Sequence, residues 1–107
     1  MEYKNVVVFV TVGSPEHAQK IANQLLTEKK AACVNIVPQV DSHFWWHGKI
    51  ENAGEQLLII KTRSALLADV EKIVKSIHPY TVPEIIALPI IGGNQDFLNW
   101  VDKETTS

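Results

Sequence analysis

The run VVVFVTV, Val6 to Val12, is β-branched and apolar without alternation, and such a run predicts a strand covered on both faces. It ends at Gly13. Ser14, Pro15 and Glu16 then supply an N-cap, a first-turn proline and a first-turn acid, so a helix is expected in which Ala18, Ile21, Ala22, Leu25 and Leu26 share one face. It should fade near Lys29 and Lys30, whose charge suits the negative end of a helix.

From Cys33 to Trp46 the pattern alternates. Val34, Ile36, Pro38, Val40, Phe44 and Trp46 fall on one parity, and Asn35, Gln39, Asp41 and His43 on the other, as a half-exposed strand requires. Pro38 has no N–H to give a ladder, which places this strand at a sheet edge or gives it a bulge. The chain should reverse at His47 and Gly48, because Lys49 to Thr62 begins polar and ends in LLII, a strand with no wet side. Together the two form a long hairpin. Ser64 can cap a second helix using Leu66, Leu67, Val70, Ile73, Val74 and Ile77, which must stop before Pro79 because proline disfavours helical geometry at His78. Ile85 to Ile91 reads as a fourth strand, marked as an edge by Pro89. Gly92 and Gly93 release the chain, and Asn94 can cap a short last helix with Phe97, Leu98 and Val101 inward.

Strand, helix, strand, strand, helix, strand is the order of a ferredoxin-like α+β sandwich, here one domain over residues 1–107 with a C-terminal helix added. The two unbroken apolar runs fall on its central first and third strands, and the two prolines on its edge strands. Two main helices cover only one face of such a sheet. Leaving the other face wet would forfeit roughly 1.5–3 kcal/mol per large apolar side chain, so a stable homo-oligomer is expected. Unpaired edge strands add a second reason for self-association.

Charge and composition narrow the partners. A formal net charge of -2 and a pI near 6.0 provide no basic field for nucleic acid. The longest apolar stretch, Ile85 to Ile91, is far short of the ~20 residues that span a bilayer, and no signal-type segment opens the chain. A cytoplasmic protein without membrane or nucleic-acid partners is expected. The one cysteine, Cys33, sits in an apolar context, AACVNIV, and reads as a buried small hydrophobe.

Few residues suggest chemistry. His43 and His47 would lie ~13 Å apart in a straight strand, too far for one ion. His17 sits in a first helical turn, where the dipole disfavours a cation. GSPE, Gly13 to Glu16, lacks an amide at Pro15 and carries a repelling acid, so N-capping is its expected job. Ser42, His43 and Asp41 are no triad, because adjacent strand residues point to opposite faces. Without a nucleophile and base pair, no enzyme is expected. His78 is different: it stands between a helix end and Pro79-Tyr80, able to close a turn or to bind a metal with Glu84, Glu51 or Glu55. Of Trp45 and Trp46, both candidates for an interface, parity makes Trp45 the outward one.

Four stretches carry a family resemblance: AACVNIVP (Ala31 to Pro38), WWHGKIE (Trp45 to Glu51), LLIIKT (Leu57 to Thr62) and HPYTVPEIIALPI (His78 to Ile90). In these the chain resembles the CutA family of divalent-cation tolerance proteins over nearly its whole length. The resemblance implies a ferredoxin-like subunit in a tight homotrimer and a role in tolerance to copper and other divalent metals, with no established reaction. Copper-binding members are described as using a first-strand cysteine and a His-His pair before Pro-Tyr. Val10 and Ile77 replace two of these ligands here, leaving His78 to hold Cu2+ or another divalent ion weakly. The architecture also resembles the trimeric PII signalling proteins. By that likeness, Lys61, Tyr80 and Glu84 beside His78 would line an inter-subunit cleft for a small anionic ligand.

Overall fold

The computed structural model describes residues 3–106. The valines at alternate positions of β1 (Asn5–Val12) decide its architecture: Val6, Val8, Val10 and Val12 all lose their solvent to one side of the sheet. Leu58 and Ile60 of β3 (Lys49–Arg63) join them there. Ala18, Ile21 and Leu25 of α1 (Pro15–Thr27) and Val70 and Val74 of α2 (Leu67–Ile77) close over this layer. Burying each such side chain contributes roughly 1.5–3 kcal/mol. With β2 (Cys33–Trp46) and β4 (Ile85–Pro89) at the edges, the strand order is β2-β3-β1-β4, antiparallel throughout, and the fold is ferredoxin-like as the element order predicts.

Local expectations hold at the first helix and shift at the second. The Ser14 hydroxyl accepts from the His17 amide at 3.1 Å, capping α1. Leu26, expected on the buried face, is exposed, because the apolar stripe is satisfied by Ala18, Ile21, Ala22 and Leu25. Ser64 does not cap α2. It opens a 3-10 turn, Ser64–Leu66, and its hydroxyl donates to the Lys4 carbonyl at 3.1 Å instead. β4 stops at Pro89, short of the expected Ile91, although the Ile90 amide still donates to the Asn5 carbonyl at 3.0 Å.

Pro38 produces a bulge as well as an edge. Val37 pairs with Leu57 but Val40 pairs with Glu55, so Pro38 and Gln39 together oppose the single residue Gln56. Gln39 takes a φ of 61° to fit the extra residue. Because side chains alternate with a period of two, one inserted residue exchanges faces for everything after it. The single parity expected for Val34 through Trp46 is therefore corrected. Val34 and Ile36 pair with Ile60 and Leu58 on the helix-covered side, whereas Val40, Phe44 and Trp46 pair with Glu55, Glu51 and Lys49 on the other. His47 (φ 51°) and Gly48 (φ 76°) then turn the chain, positive φ at both positions being the type I′ signature that matches strand twist.

The second face of the sheet carries Val7, Phe9, Leu57 and Ile59 at its centre, half-buried, flanked by exposed Ile86 and Leu88 on β4 and Val37 on β2. The last helix, α3 (Gln95–Glu104), docks at one end of it. The Asn5 amide donates to Asp102 Oδ1 at 2.9 Å, and Arg63 donates through Nε and Nη2 to Thr105 at 2.9 Å each. Burial alone would raise the Asp102 carboxyl, but the bonds from Asn5 and Lys4 and the charge of Arg63 overcome it and hold it low. Val101 is buried as expected. Phe97 is not; it turns outward and meets Trp100 at 5.6 Å between ring centres.

The two leucine positions provide a test of this layering. Leu58→Ala is expected to cost about 2–5 kcal/mol of unfolding free energy, as deletion from a closed core does. Leu26→Ala should cost less than about 0.5 kcal/mol. Urea denaturation at one fixed protein concentration reads both, and equal losses would contradict the assignment of faces.

Candidate functional site

At the end of the sheet away from α3, β2 and β3 continue past the last residue of β1, and residues 79–84 wrap around that end to reach β4. Between hairpin and wrap lies an open groove of about 940 Å³. One wall carries Phe44, Trp46, Glu51 and Glu55, which share a face because of the bulge; the other carries Tyr80 and Glu84.

His78 fixes the wrap to the sheet. It ends α2 in an extended conformation (φ -66°, ψ 129°), as the following proline requires. Its Nε2 donates to the Thr11 carbonyl at 2.7 Å, and its Nδ1 accepts from the Tyr80 amide at 3.2 Å. The neutral tautomer with its proton on Nε2 satisfies both bonds and leaves no nitrogen lone pair free. The ring is only 7% exposed and packs edge-on against Tyr80 at 4.6 Å. A metal ion on His78 would have to displace one of these two bonds, which hold the loop. Val10 is fully buried in the core, and Ile77 packs against it.

Tyr80 joins the two walls. Its hydroxyl donates to Glu55 Oε2 at 2.9 Å, and it lies so close to Gly13 that a Cβ there would stand 2.8 Å from the phenol oxygen. Only glycine leaves this approach open. Burial first, then the bond to Glu55 and its charge, push the phenol up to about 12. Glu55 is itself just 5% exposed.

The groove is acidic. Glu51, Glu55 and Glu84 line it, and among the described residues no lysine or arginine does. Lys61, expected in the cleft with Tyr80 and Glu84, is elsewhere: it pairs across the strands with Cys33, its ammonium donating to Asn35 and lying 3.9 Å from the Cys33 sulfur. Cys33 is accordingly half-buried beside a charge rather than sealed in the core. Trp45, 71% exposed, stands across the ladder from Ile50, while Trp46 faces the groove. The other histidines are dispersed. His17 Nδ1 meets the Ser14 hydroxyl at 2.7 Å, and His43 Nε2 lies 3.2 Å from Asp41. Bonds from Asn52 first, then from His43 with its charge, hold the Asp41 carboxyl below its ordinary value. Among the described residues no group of three His, Cys, Asp or Glu side chains converges to hold a metal ion. Sequence alone did not bring Phe44, Trp46, Glu51 and Glu55 together. The available signal was Pro38, because a proline in an alternating strand marks where parity can break.

The CutA1 divalent ion tolerance protein family matches residues 6–104. Protein CutA 1, chloroplastic, of Oryza sativa is 50% identical over 101 residues, 94% of this chain and 57% of its own length. The chain thus spans little more than half of that relative, as also of its Arabidopsis thaliana counterpart (56%). The divalent-cation tolerance protein CutA of Archaeoglobus fulgidus is 50% identical over 96 residues, 90% of this chain and 93% of its own. The crystal structure of CutA1 from Oryza sativa superposes with a TM-score of 0.94 at 48% identity, covering 98% of this chain and 96% of that one. The chain belongs to the CutA1 divalent ion tolerance family.

In a Tyr3→Phe background, the phenolate absorbance of Tyr80 is expected to rise with a midpoint of about 12 in place of 10.0. Its folded-state value is raised, so the stability it contributes is complete below pH 10.0 and lost as pH climbs through about 12. Glu55→Gln should lower the midpoint to what burial alone sets. An unchanged midpoint would show that the carboxylate does not hold the phenol.

Proposed function

We propose that this member of the CutA1 family acts as a homotrimer in the cell's tolerance of divalent metal ions, in the cytoplasm and without catalysing a reaction. The observation that carries the reading within the family is the sign of the groove: among the described residues three carboxylates line it, with His43 and no lysine or arginine. Such a surface attracts cations and repels anions. A PII-like site for a small anionic ligand is therefore not retained.

Self-association is supported by what one chain leaves uncovered. Val37, Ile86 and Leu88 extend the half-buried row of Val7, Phe9, Leu57 and Ile59 into solvent, and both edge strands have unpaired backbone. The free thiol of Cys33, with no second cysteine in the sequence, suits a reducing compartment. No helix among the described residues is long and apolar enough to cross a membrane.

Copper or another divalent ion would be held by oxygen. Glu51, Glu55 and Glu84 are the donors on this chain, and a neighbouring copy would have to complete the set. Carboxylates alone make a modest site with little preference for copper beyond its general affinity. The neutral, doubly bonded ring of His78 serves as the latch of the loop.

Sedimentation and calorimetry test both halves of the reading. A trimer at low micromolar concentration is expected, and a monomer there would overturn the assembly. Titration with Cu2+, Zn2+ and Mg2+ should show weak binding that falls at least about tenfold in Glu55→Gln, a charged ligand being worth about 1.5–3 kcal/mol. It should persist in a folded His78→Asn variant. Loss in His78→Asn with retention in Glu55→Gln would return the metal to the histidine.

A further inference from the structure

We propose that the groove is a binding site for an organic cation, a protonated amine or guanidinium carried on an apolar body. The proposal rests on the cation-accepting groove described above and adds the chemical class of its ligand.

Size comes first. On the single chain, before a neighbouring copy takes its share, the groove measures about 940 Å³, against roughly 300–1,000 Å³ for small-molecule sites. The walls come second. Phe44, Trp46 and Tyr80 all line the space. The negative faces of aromatic rings favour diffuse, weakly hydrated cations, which a guanidinium or alkylammonium is and a small divalent ion is not.

Glu55 is the third and most specific observation. A carboxylate held nine-tenths out of water needs donors for its oxygens, because an ionised group left short of partners is costly. Tyr80 supplies one bond, to Oε2; among the described residues none goes to Oε1. Among the described residues no buried side-chain oxygen lacks a partner, so Oε1 keeps access to solvent, and Glu55 lines the groove. The phenol holds the carboxylate at the groove, and Oε1 is left to water. A ligand N–H⁺ would complete it, and the rings would cover the ligand's apolar body. Glu51 and Glu84 at the same groove set the sign without competing lysine or arginine.

A matched series tests the class: benzamidine and benzylamine as cations, benzyl alcohol as neutral isostere, benzoate as anion, and Zn2+ and Mg2+ alone. Each is titrated into the intact protein, followed by calorimetry and by Trp fluorescence. The two organic cations are expected to bind, with affinity reduced about 10- to 100-fold in Glu55→Gln, the range of a lost charge-assisted bond. Phe44→Leu, which keeps the carboxylate and its phenol, should weaken the same two ligands several-fold and leave the response to Zn2+ unaltered. Benzyl alcohol and benzoate should bind at least tenfold more weakly. Equal binding of benzyl alcohol, no effect of Glu55→Gln, or failure of both cations to bind would overturn the proposal. Zn2+ binding that depends on Glu55 while benzamidine fails would overturn it and leave the metal reading standing. Benzamidine binding without any metal response would do the reverse.

Discussion

A strand has a period of two, and a single residue too many cannot be absorbed without changing what lies on each face. Pro38 and Gln39 facing Gln56 alone are that extra residue here. Before them β2 contributes Val34 and Ile36 to the core beneath the helices; after them it turns Phe44 and Trp46 toward the glutamates of β3. The same strand thus serves two environments. Without the insertion, Trp45 and His43 would share the face of Glu51 and Glu55, and the groove would lose the aromatic wall that Phe44 and Trp46 make.

The rest of the groove depends on three contacts at the end of β1. His78 ties the turn to Thr11, Tyr80 bridges from that turn to Glu55, and Gly13 has no side chain to obstruct the bridge. Each would mean little alone. In combination they convert an irregular loop into a wall of fixed position. The buried carboxylate and the partly covered phenol share one bond, which offsets part of the cost of taking the carboxylate out of water.

Much of this fold was legible because its signals are local or periodic. The Ser14-Pro15-Glu16 cap, the unbroken valines of β1, the two edge prolines and the stop before Pro79 each follow from one residue's geometry, and the sheet order followed from them. The Val34-to-Trp46 parity failed because alternation was extended through Pro38, the one residue that warned against it. Leu26 and Phe97 were placed inward by a helical stripe that does not know how wide the facing sheet is. Lys61 lies outside the groove of the single chain, since which face a residue takes on β3 does not say which end of the sheet a cleft occupies. The latch made by His78 could be suspected from Pro79, but its partner, a carbonyl on β1, is remote in sequence and had no local signal.

The long hairpin also orders the entropy of chain closure. Trp46 meets Lys49 across two residues, and pairing can spread outward from there to Cys33 and Lys61 with each step enclosing only already ordered chain. The β1 ladder has no such beginning, because its pairs join Asn5 to Arg63 and Val6 to Pro89. The protruding ribbon can therefore assemble on its own contacts, while the centre of the sheet waits for the far ends of the polypeptide to meet. Loop-closure entropy therefore favours early pairing in the ribbon that bears half of the groove and later pairing in the middle strand.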